Sequence, residues 1–227
     1  MAEQNVFNLM QNDEIGLLWK KIYQLHQKTK IYLLTAEEIS ENGDALIQPL
    51  KEHRDAYDHI VRIFASTTKK VPEGYDYYSY IKGNLEKAYG HEYRAFFDTA
   101  DWLAYNLRHN LRERINAIPY NKRNQLIPNC KETIKLLNQY PFEISNLRND
   151  KDIVKESDSD ETIKEYENLL RQLRELGVNI AYITLHVGSG TFQPVRTENV
   201  LEHTMHTELY HIPEATIEAI QQAKRKG

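Results

Sequence analysis

The chain is poor in cysteine, glycine and proline, and each shortage excludes a class of protein. Cys130 is the single cysteine in 227 residues, so no internal disulfide can form, as is typical of proteins in a reducing cytosol. Nine glycines and seven prolines are too few for the many tight turns of an all-β protein. No apolar run approaches the roughly 18 residues that cross a bilayer, and the N-terminus has no signal-peptide pattern. We therefore predict a cytoplasmic protein with no membrane partner.

Charge is close to balanced over the whole chain but unevenly distributed along it. The formal net charge is −4 and the pI is about 6.2, which excludes a uniformly basic nucleic-acid coat. Residues 151–167 nevertheless hold seven acidic residues against three lysines, and residues 155–160 contain no apolar side chain. Because such a stretch cannot bury apolar surface, we predict that residues 151–164 form a solvated acidic linker.

Apolar residues recur at three- and four-residue steps before this linker, which predicts an all-α helical bundle over residues 1–150. A first helix is expected to begin at Asp13 and to end before Gly43. A second helix follows, in which Pro49 is tolerable only in the first turn. Its predicted apolar stripe consists of Leu46, Leu50, His53, Tyr57, Ile60 and Phe64.

Two more helices are predicted in the second half of this bundle. A long helix runs from about Tyr78 to Ile115, where Gly83 and Gly90 leave open a division into two. A short helix lies near Thr133–Gln139 in a stretch punctuated by prolines. The predicted solvent face of the long helix carries Lys87, His91, Glu92 and Arg94.

The pattern after the linker is α/β. A helix rich in leucine is expected to stop at Gly177, and Ile180–Val187 is rich enough in β-branched and aromatic residues to predict a strand. A second strand near Glu208–Ile212 and a last helix opened by Pro213 complete this part. The predicted fold class is therefore mainly α, an N-terminal all-α helical bundle followed by a small α/β segment at residues 165–227.

The densest motif follows the first predicted strand. Two glycines one residue apart, Gly188 and Gly190, let the backbone approach a ligand closely, with His186 just before them. A second cluster of imidazoles and carboxylates comes a short distance later in the chain. Such groups suit hydrogen bonding to a ribose or proton transfer near neutral pH. A metal site at His203 and His206 is an alternative, but we predict no metal.

Two stretches, His186-Val-Gly-Ser-Gly-Thr-Phe-Gln-Pro-Val195 and Glu202-His-Thr-Met-His-Thr-Glu208, together resemble the S-adenosylmethionine:tRNA ribosyltransferase-isomerases of queuosine biosynthesis. The resemblance covers about residues 165–227. It implies transfer and isomerisation of the ribosyl part of S-adenosylmethionine onto a 7-deazaguanine base of tRNA, with adenine and methionine as leaving groups. S-adenosylmethionine is then the ribosyl donor, and tRNA is the partner.

The same resemblance implies two sets of site residues. The implied catalytic residues are His186, Glu202, His203 and His206. The implied substrate-binding residues are Gly188, Gly190, Thr191, Phe192, Pro194, Met205 and Glu208. The family also has a β-rich N-terminal part and further motifs that have no counterpart in this sequence. Because a site assembled from several segments loses preorganised contacts when one stands alone, we expect the segment to be incomplete as an enzyme on its own.

The second predicted helix contains Arg54-Asp-Ala-Tyr-Asp-His59, which resembles the motif of the HEPN superfamily of all-α domains. That resemblance implies a metal-independent ribonuclease in which His59 acts as general acid or base and Arg54 binds the phosphate. Five helical residues turn through about 500°, so the two side chains are expected to diverge by about 140°. A purely structural interpretation, with the helix pairs Arg54–Asp58 and Asp55–His59, stays open.

Three functions are therefore compatible with the sequence. The first is a tRNA-modification-related protein that carries a partial ribosyltransferase-isomerase segment. The second is a HEPN-type protein acting on RNA, as a ribonuclease or in defence, and the third is a non-enzymatic interaction module. The corresponding partners are tRNA or another RNA, and a second copy of the chain bound through the helical part.

Overall fold

A computed structural model describes residues 12–41, 43–127, 129–151 and 159–187. Throughout these residues the chain forms helices and no strand, which confirms the mainly α class. The helices are α1 Asp13–Ile39, α2 Ile47–Ala65, α3 Tyr77–Ala117, α4 Tyr120–Leu126, α5 Cys130–Lys151 and α6 Ser159–Val187. Among the described residues, no helix combines the length and the apolar character that a membrane crossing needs.

The chain divides into two compact units, Met1–Asn106 and Leu107–Gly227, and the division falls inside α3. The first unit contains α1, α2 and the first part of α3, and the second contains the end of α3 with α4, α5 and α6. The domain boundaries expected at 150 and 165 stay a prediction.

Polar side chains define the starts of two long helices. Asn12 caps α1, because its side-chain oxygen accepts hydrogen bonds from the backbone N–H groups of Glu14 and Ile15 at 3.0 and 3.4 Å. The carboxylate of Asp76 accepts from the backbone N–H of Ser79 at 2.9 Å in the first turn of α3. The predicted start of the first helix is therefore confirmed.

The apolar face of α2 is rotated from its predicted position. Leu50, Tyr57 and Phe64, which were expected in the core, are 47%, 66% and 43% exposed. The buried residues of α2 are Pro49, Ala56 and Ile63. Each is one position before a member of the predicted stripe, which corresponds to a rotation of about 100°. Small Ala56 is buried on this face, and the polar His53 bonds to Glu92 of α3.

The helices predicted around glycine and proline are longer than expected. α3 is one continuous helix of 41 residues that passes through Gly83 and Gly90. The short helix expected at Thr133–Gln139 is the middle of α5, which has 22 residues and contains Pro141. Tyr140 and Ile144, on either side of Pro141, are both buried, so packing of the apolar face maintains the helix across the proline.

The prediction of a strand at Ile180–Val187 is wrong, because α6 continues through Gly177 and ends at Val187. α6 also begins at Ser159, within the predicted linker, and Thr162 and Ile163 are buried. Once a helix is nucleated and packed, β-branched residues extend it at a small cost in propensity. The second predicted strand and the last predicted helix lie outside the described residues.

α6 is held in the second unit by packing and by a hydrogen bond. Its leucines 169, 170 and 173 are buried, and α6 contacts α5. The hydroxyl of Tyr140 on α5 donates to Oε1 of Gln172 at 3.1 Å. A Cβ atom added at Gly177 would lie 3.8 Å from Cδ2 of Leu111, an ordinary van der Waals distance. The apolar face of α6 is therefore covered by helices of its own unit.

Candidate functional site

A buried carboxylate lies in the first unit, among three of its helices. Glu92 of α3 is only 3% exposed and lies on the same helix face as the buried Ala88 and Phe96. Nδ1 of His26 on α1 and Nδ1 of His53 on α2 donate to its Oε1 at 3.2 and 3.1 Å. Nδ1 of His53 also lies 3.0 Å from Oε2. The two imidazoles meet edge to face with ring centroids 4.7 Å apart. Three helices therefore each contribute one residue to this cluster, which we call the Glu92 cluster.

Hydrogen bonds from the imidazoles determine the charge of Glu92. Burial by itself raises the pKa of Glu92, but hydrogen bonds from His26 and His53 outweigh it, so that this pKa lies below its ordinary value. The same hydrogen bond with Glu92 raises the pKa of His26, against the opposing effect of burial. The cluster therefore holds an ionised carboxylate and favours a positive charge beside it.

Glu52 of α2 forms a second, half-buried anionic centre in the same unit. Its side chain is 13% exposed and accepts hydrogen bonds from Nδ1 of His91 at 2.8 Å and from Nε of Arg94 at 2.9 Å. Burial raises the pKa of Glu52, whereas the bonds from His91 and Arg94 lower it, with a net result below the ordinary value. Glu52 thus links α2 to two side chains of α3, the imidazole of His91 and the guanidinium of Arg94.

Asn84 fixes the tautomer of His59. Its Nδ2 donates to the carbonyl oxygen of Tyr80 at 2.8 Å, so its Oδ1 faces Nδ1 of His59 at 3.0 Å. Because Oδ1 can only accept, Nδ1 of His59 carries the hydrogen, and the neutral imidazole keeps its lone pair on Nε2. The ring also stacks on His91 with centroids 5.5 Å apart. In the neutral ring, Nε2 of His59 is therefore left as the hydrogen-bond acceptor.

A surface pocket of about 410 Å³ opens beside His59. It is lined by Arg54, Asp55, Asp58, His59, Arg62 and His91. The structure therefore brings Arg54 and His59 to one pocket, although a simple helical projection separates them. Nε of Arg54 donates to Oδ1 of Asp55 at 2.9 Å, and this hydrogen bond lowers the pKa of Asp55.

The ion pairs around this pocket differ from the predicted ones. Asp58 pairs with Arg62, one turn further along α2, and Arg54 pairs with its neighbour Asp55. The predicted pair of Arg54 with Asp58 is therefore wrong. Both arginines lie beside a carboxylate, so the pocket has cationic side chains without a large excess of positive charge.

The predicted solvent face of α3 is wrong for two of its four residues. Glu92 is buried and the His91 side chain is 20% exposed. A signal existed in the sequence, because Glu92 lies four residues after Ala88 and four before Phe96, in the middle of an apolar stripe. No spacing rule connects Glu92 with His26 or His53, since the three residues come from three separate helices.

The candidate residues of the C-terminal motif remain predictions. His186 belongs to α6 by its backbone, and nothing is described of its side chain. The other candidates lie outside the described residues: Gly188, Gly190, Thr191, Phe192, Pro194, Glu202, His203, Met205, His206 and Glu208.

Comparisons with known proteins concern this same C-terminal part. The family model described as "Queuosine biosynthesis protein" matches residues 165–227. Over 61 residues the chain is 62% identical to the S-adenosylmethionine:tRNA ribosyltransferase-isomerase of Nitrosomonas europaea, covering 27% of this chain and 17% of the relative. The enzymes of the same name from Nitrosomonas eutropha and Clostridium kluyveri are 59% and 54% identical, over 27% of this chain and 18% of each relative.

The chain thus spans less than a fifth of the length of these curated relatives. No solved structure matches the chain. None of these comparisons supports the HEPN-like resemblance or dimerisation through the helical part. The predicted resemblance to queuosine-biosynthesis proteins is confirmed for residues 165–227.

Proposed function

We propose that this chain acts in tRNA modification, and that residues 165–227 contribute part of an S-adenosylmethionine:tRNA ribosyltransferase-isomerase site. The observation that carries the proposal is the identity of 62% over 61 residues, within the segment that the queuosine-biosynthesis family model matches. Identity this high over a segment rich in imidazoles, glycines and carboxylates favours retention of a binding function.

The described part of this segment is built into a folded unit. Residues 165–187 are helical, and the helix begins six residues before the match, at Ser159. The buried face of α6 and the bond from Tyr140 to Gln172 attach it to α5, which lies outside the matched residues. This packing supports the proposal, because the motif that follows α6 in sequence is then joined to a stable helix.

In this proposal S-adenosylmethionine supplies the ribosyl group to a tRNA base. The backbone at Gly188 and Gly190 approaches the sugar, and an imidazole from His186, His203 or His206 moves protons on it. Glu202 would orient or charge-balance one of these imidazoles. The remaining contacts of a complete site would have to come from elsewhere.

Calorimetric titration of the purified chain with S-adenosylmethionine tests the binding step, and chromatography of adenine and methionine tests turnover on a queuosine-precursor tRNA. We expect binding, weakened at least about tenfold in His186→Ala and in the double variant His203→Ala/His206→Ala, since each loses a polar contact. His109→Ala, on α3 outside the motif, is the matched control. A chain that neither binds S-adenosylmethionine nor alters the precursor tRNA contradicts the proposal.

A second candidate function, cleavage of RNA in the first unit, is favoured by the shared pocket of Arg54 and His59. Nε2 of His59 would take the proton of a 2′-hydroxyl as its oxygen attacks phosphorus, while the 5′-oxygen leaves and receives a proton from water. Arg54 would leave Asp55 to bind the phosphate, which costs one exposed ion pair.

An RNA-cleavage assay in the presence of a chelator tests this candidate. We expect cleavage by the unmodified chain and a loss of at least about 100-fold in His59→Ala, in line with the contribution of a general acid or base. Arg171→Ala, which changes an exposed arginine of α6, should cleave normally. Equal rates for the unmodified chain, Arg54→Ala and His59→Ala would reject the ribonuclease function.

A further inference from the structure

We propose that His26, His53 and Glu92 form a binding site for one divalent transition-metal ion, with at least one coordination position open to water. The site lies in the first unit and uses no residue of the C-terminal motif. It is therefore independent of the proposed function in tRNA modification, and neither proposal depends on the other.

The positions of the ligand atoms fit a metal ion at their centre. One candidate ligand atom from each of the three residues lies within 4.8 Å of the other two. The distances from the imidazole nitrogens to the carboxylate oxygens are 3.0–3.2 Å. Bonds of about 2.0–2.2 Å in tetrahedral or octahedral geometry place neighbouring ligands roughly 2.9–3.4 Å apart. A small movement of the imidazoles therefore suffices to admit the ion.

One carboxylate oxygen of the cluster is left without a hydrogen bond. Oε2 of Glu92 is buried and receives no hydrogen bond of acceptable geometry from the described residues, although Nδ1 of His53 is only 3.0 Å away. A buried carboxylate is stable only where partners replace its lost hydration. A divalent ion bound by all three groups would give Oε2 the partner that it lacks and would add a charge opposite to that of the carboxylate.

The chemistry of the ligand set selects the class of metal. Two imidazoles and one carboxylate suit Zn²⁺, Fe²⁺ or Co²⁺ better than Mg²⁺ or Ca²⁺, which prefer oxygen ligands. Three protein ligands leave a further position free, as in catalytic rather than structural zinc sites. The His26 side chain is 51% exposed while Glu92 is 4% exposed, so the cluster has one side open to solvent. Water or a ligand can therefore reach the open position from the side of His26.

Titration of the metal-free full chain with Zn²⁺, and with Co²⁺ as a spectroscopic probe, tests the proposal. We expect one Zn²⁺ bound through the Glu92 cluster, visible d–d absorption with Co²⁺, and a rise of the melting temperature with Zn²⁺. Glu92→Gln keeps the shape of the side chain but removes its charge. It should weaken binding by more than about tenfold, since even outer partners of metal ligands contribute that much.

Two further variants locate the binding. His26→Ala changes a half-exposed side chain and decides the question if far-UV circular dichroism shows that Glu92→Gln does not fold. His203→Ala/His206→Ala removes another histidine pair that could take up zinc and should leave the Glu92 cluster loaded. Equal binding by the unmodified chain and Glu92→Gln, or by the unmodified chain and His26→Ala, overturns the proposal. So does loss of the Co²⁺ absorption in the double variant alone.

Discussion

Glu92 is a charged residue at a position where the spacing of apolar residues along α3 predicts an apolar side chain. Ala88 and Phe96, four residues on either side, are fully buried, and Glu92 is buried with them. A carboxylate tolerates such a position only when its partners replace the lost hydration. His26 and His53 are those partners, and they lie 66 and 39 residues away in sequence. The pattern of neighbouring residues therefore shows that a carboxylate lies on the apolar face, but it cannot identify the histidines that stabilise this carboxylate.

At the same scale, Asp76 provides a test of charge at a helix terminus. Hydrogen bonds from Ser79 lower the pKa of Asp76 below its ordinary 3.8. Because the folded pKa is depressed, the stabilisation is complete above the unfolded value and is lost as the pH falls through the folded one. Asp76→Asn keeps the hydrogen-bond acceptor and removes the charge. We therefore expect the variant to be less stable near pH 7 and to approach the unmodified chain below about pH 3.8.

Urea denaturation at a series of pH values measures this difference. Asp13→Asn, also in a first helical turn, is the comparison variant, for which no hydrogen bond comparable to that of Asp76 with Ser79 is described. A stability difference between Asp76→Asn and the unmodified chain that stays constant from pH 7 to pH 3 would show that the carboxylate charge does not stabilise α3.

At the scale of the element, α6 contradicts the rules that predict a helix end from one glycine and a strand from a few β-branched residues. Gly177 predicts a helix end and the following β-branched residues predict a strand, yet the helix continues to Val187. Helix propensities differ by less than about 1 kcal/mol per residue, so packing of an already formed helix can override them. The buried leucines of α6 and its contact with α5 provide that packing.

Gly177→Ala distinguishes the two interpretations of this segment. In a continuous helix, alanine stabilises by roughly 0.5–1 kcal/mol, because it restricts the unfolded chain. The added Cβ would lie 3.8 Å from Leu111, so no clash opposes this gain. If the helix ended at Gly177 in a left-handed cap, alanine would instead destabilise the chain.

The free energy of unfolding in urea provides the measurement. Gly83→Ala is the control, since Gly83 lies inside α3 and a Cβ there meets nothing within 4 Å. We expect the two variants to be stabilised by similar amounts. A loss of stability in Gly177→Ala together with a gain in Gly83→Ala would mean that α6 stops where the sequence pattern predicts.

At the scale of the whole molecule, a segment similar to a tRNA-modifying enzyme is joined to helices that the family model does not match. The match covers residues 165–227, whereas the second unit begins at Leu107. Tyr140, which donates to Gln172 of α6, and Leu111, which lies near Gly177, both precede the matched residues. The stability of the first part of the segment should therefore depend on this chain's own helices.

Leu173→Ala tests that dependence. Leu173 is fully buried in the second unit, so its truncation should lower the free energy of unfolding by about 2–5 kcal/mol. Leu136→Ala, at a position that is 45% exposed on α5, should cost less than about 1 kcal/mol. Urea denaturation followed by circular dichroism compares the two variants. Equal effects would indicate that the buried face of α6 does not stabilise the unit.

The sequence by itself determined the features that depend on neighbouring residues. These features are the helical period of the first 150 residues, the start of α1 at Asp13 and the motif that resembles queuosine-biosynthesis enzymes. Each depends on backbone geometry or on residue types within a few turns, which a linear pattern records.

Only the tertiary structure decided which faces are buried and which polar groups meet. In the folded chain, Ala56 rather than Tyr57 is buried on α2, and α6 continues beyond Gly177. Glu92 bonds to His26 and His53, which come from two other helices. The physical reason is common to all three. Burial and charge compensation depend on groups from other helices, and those energies exceed the local propensities from which a sequence is interpreted.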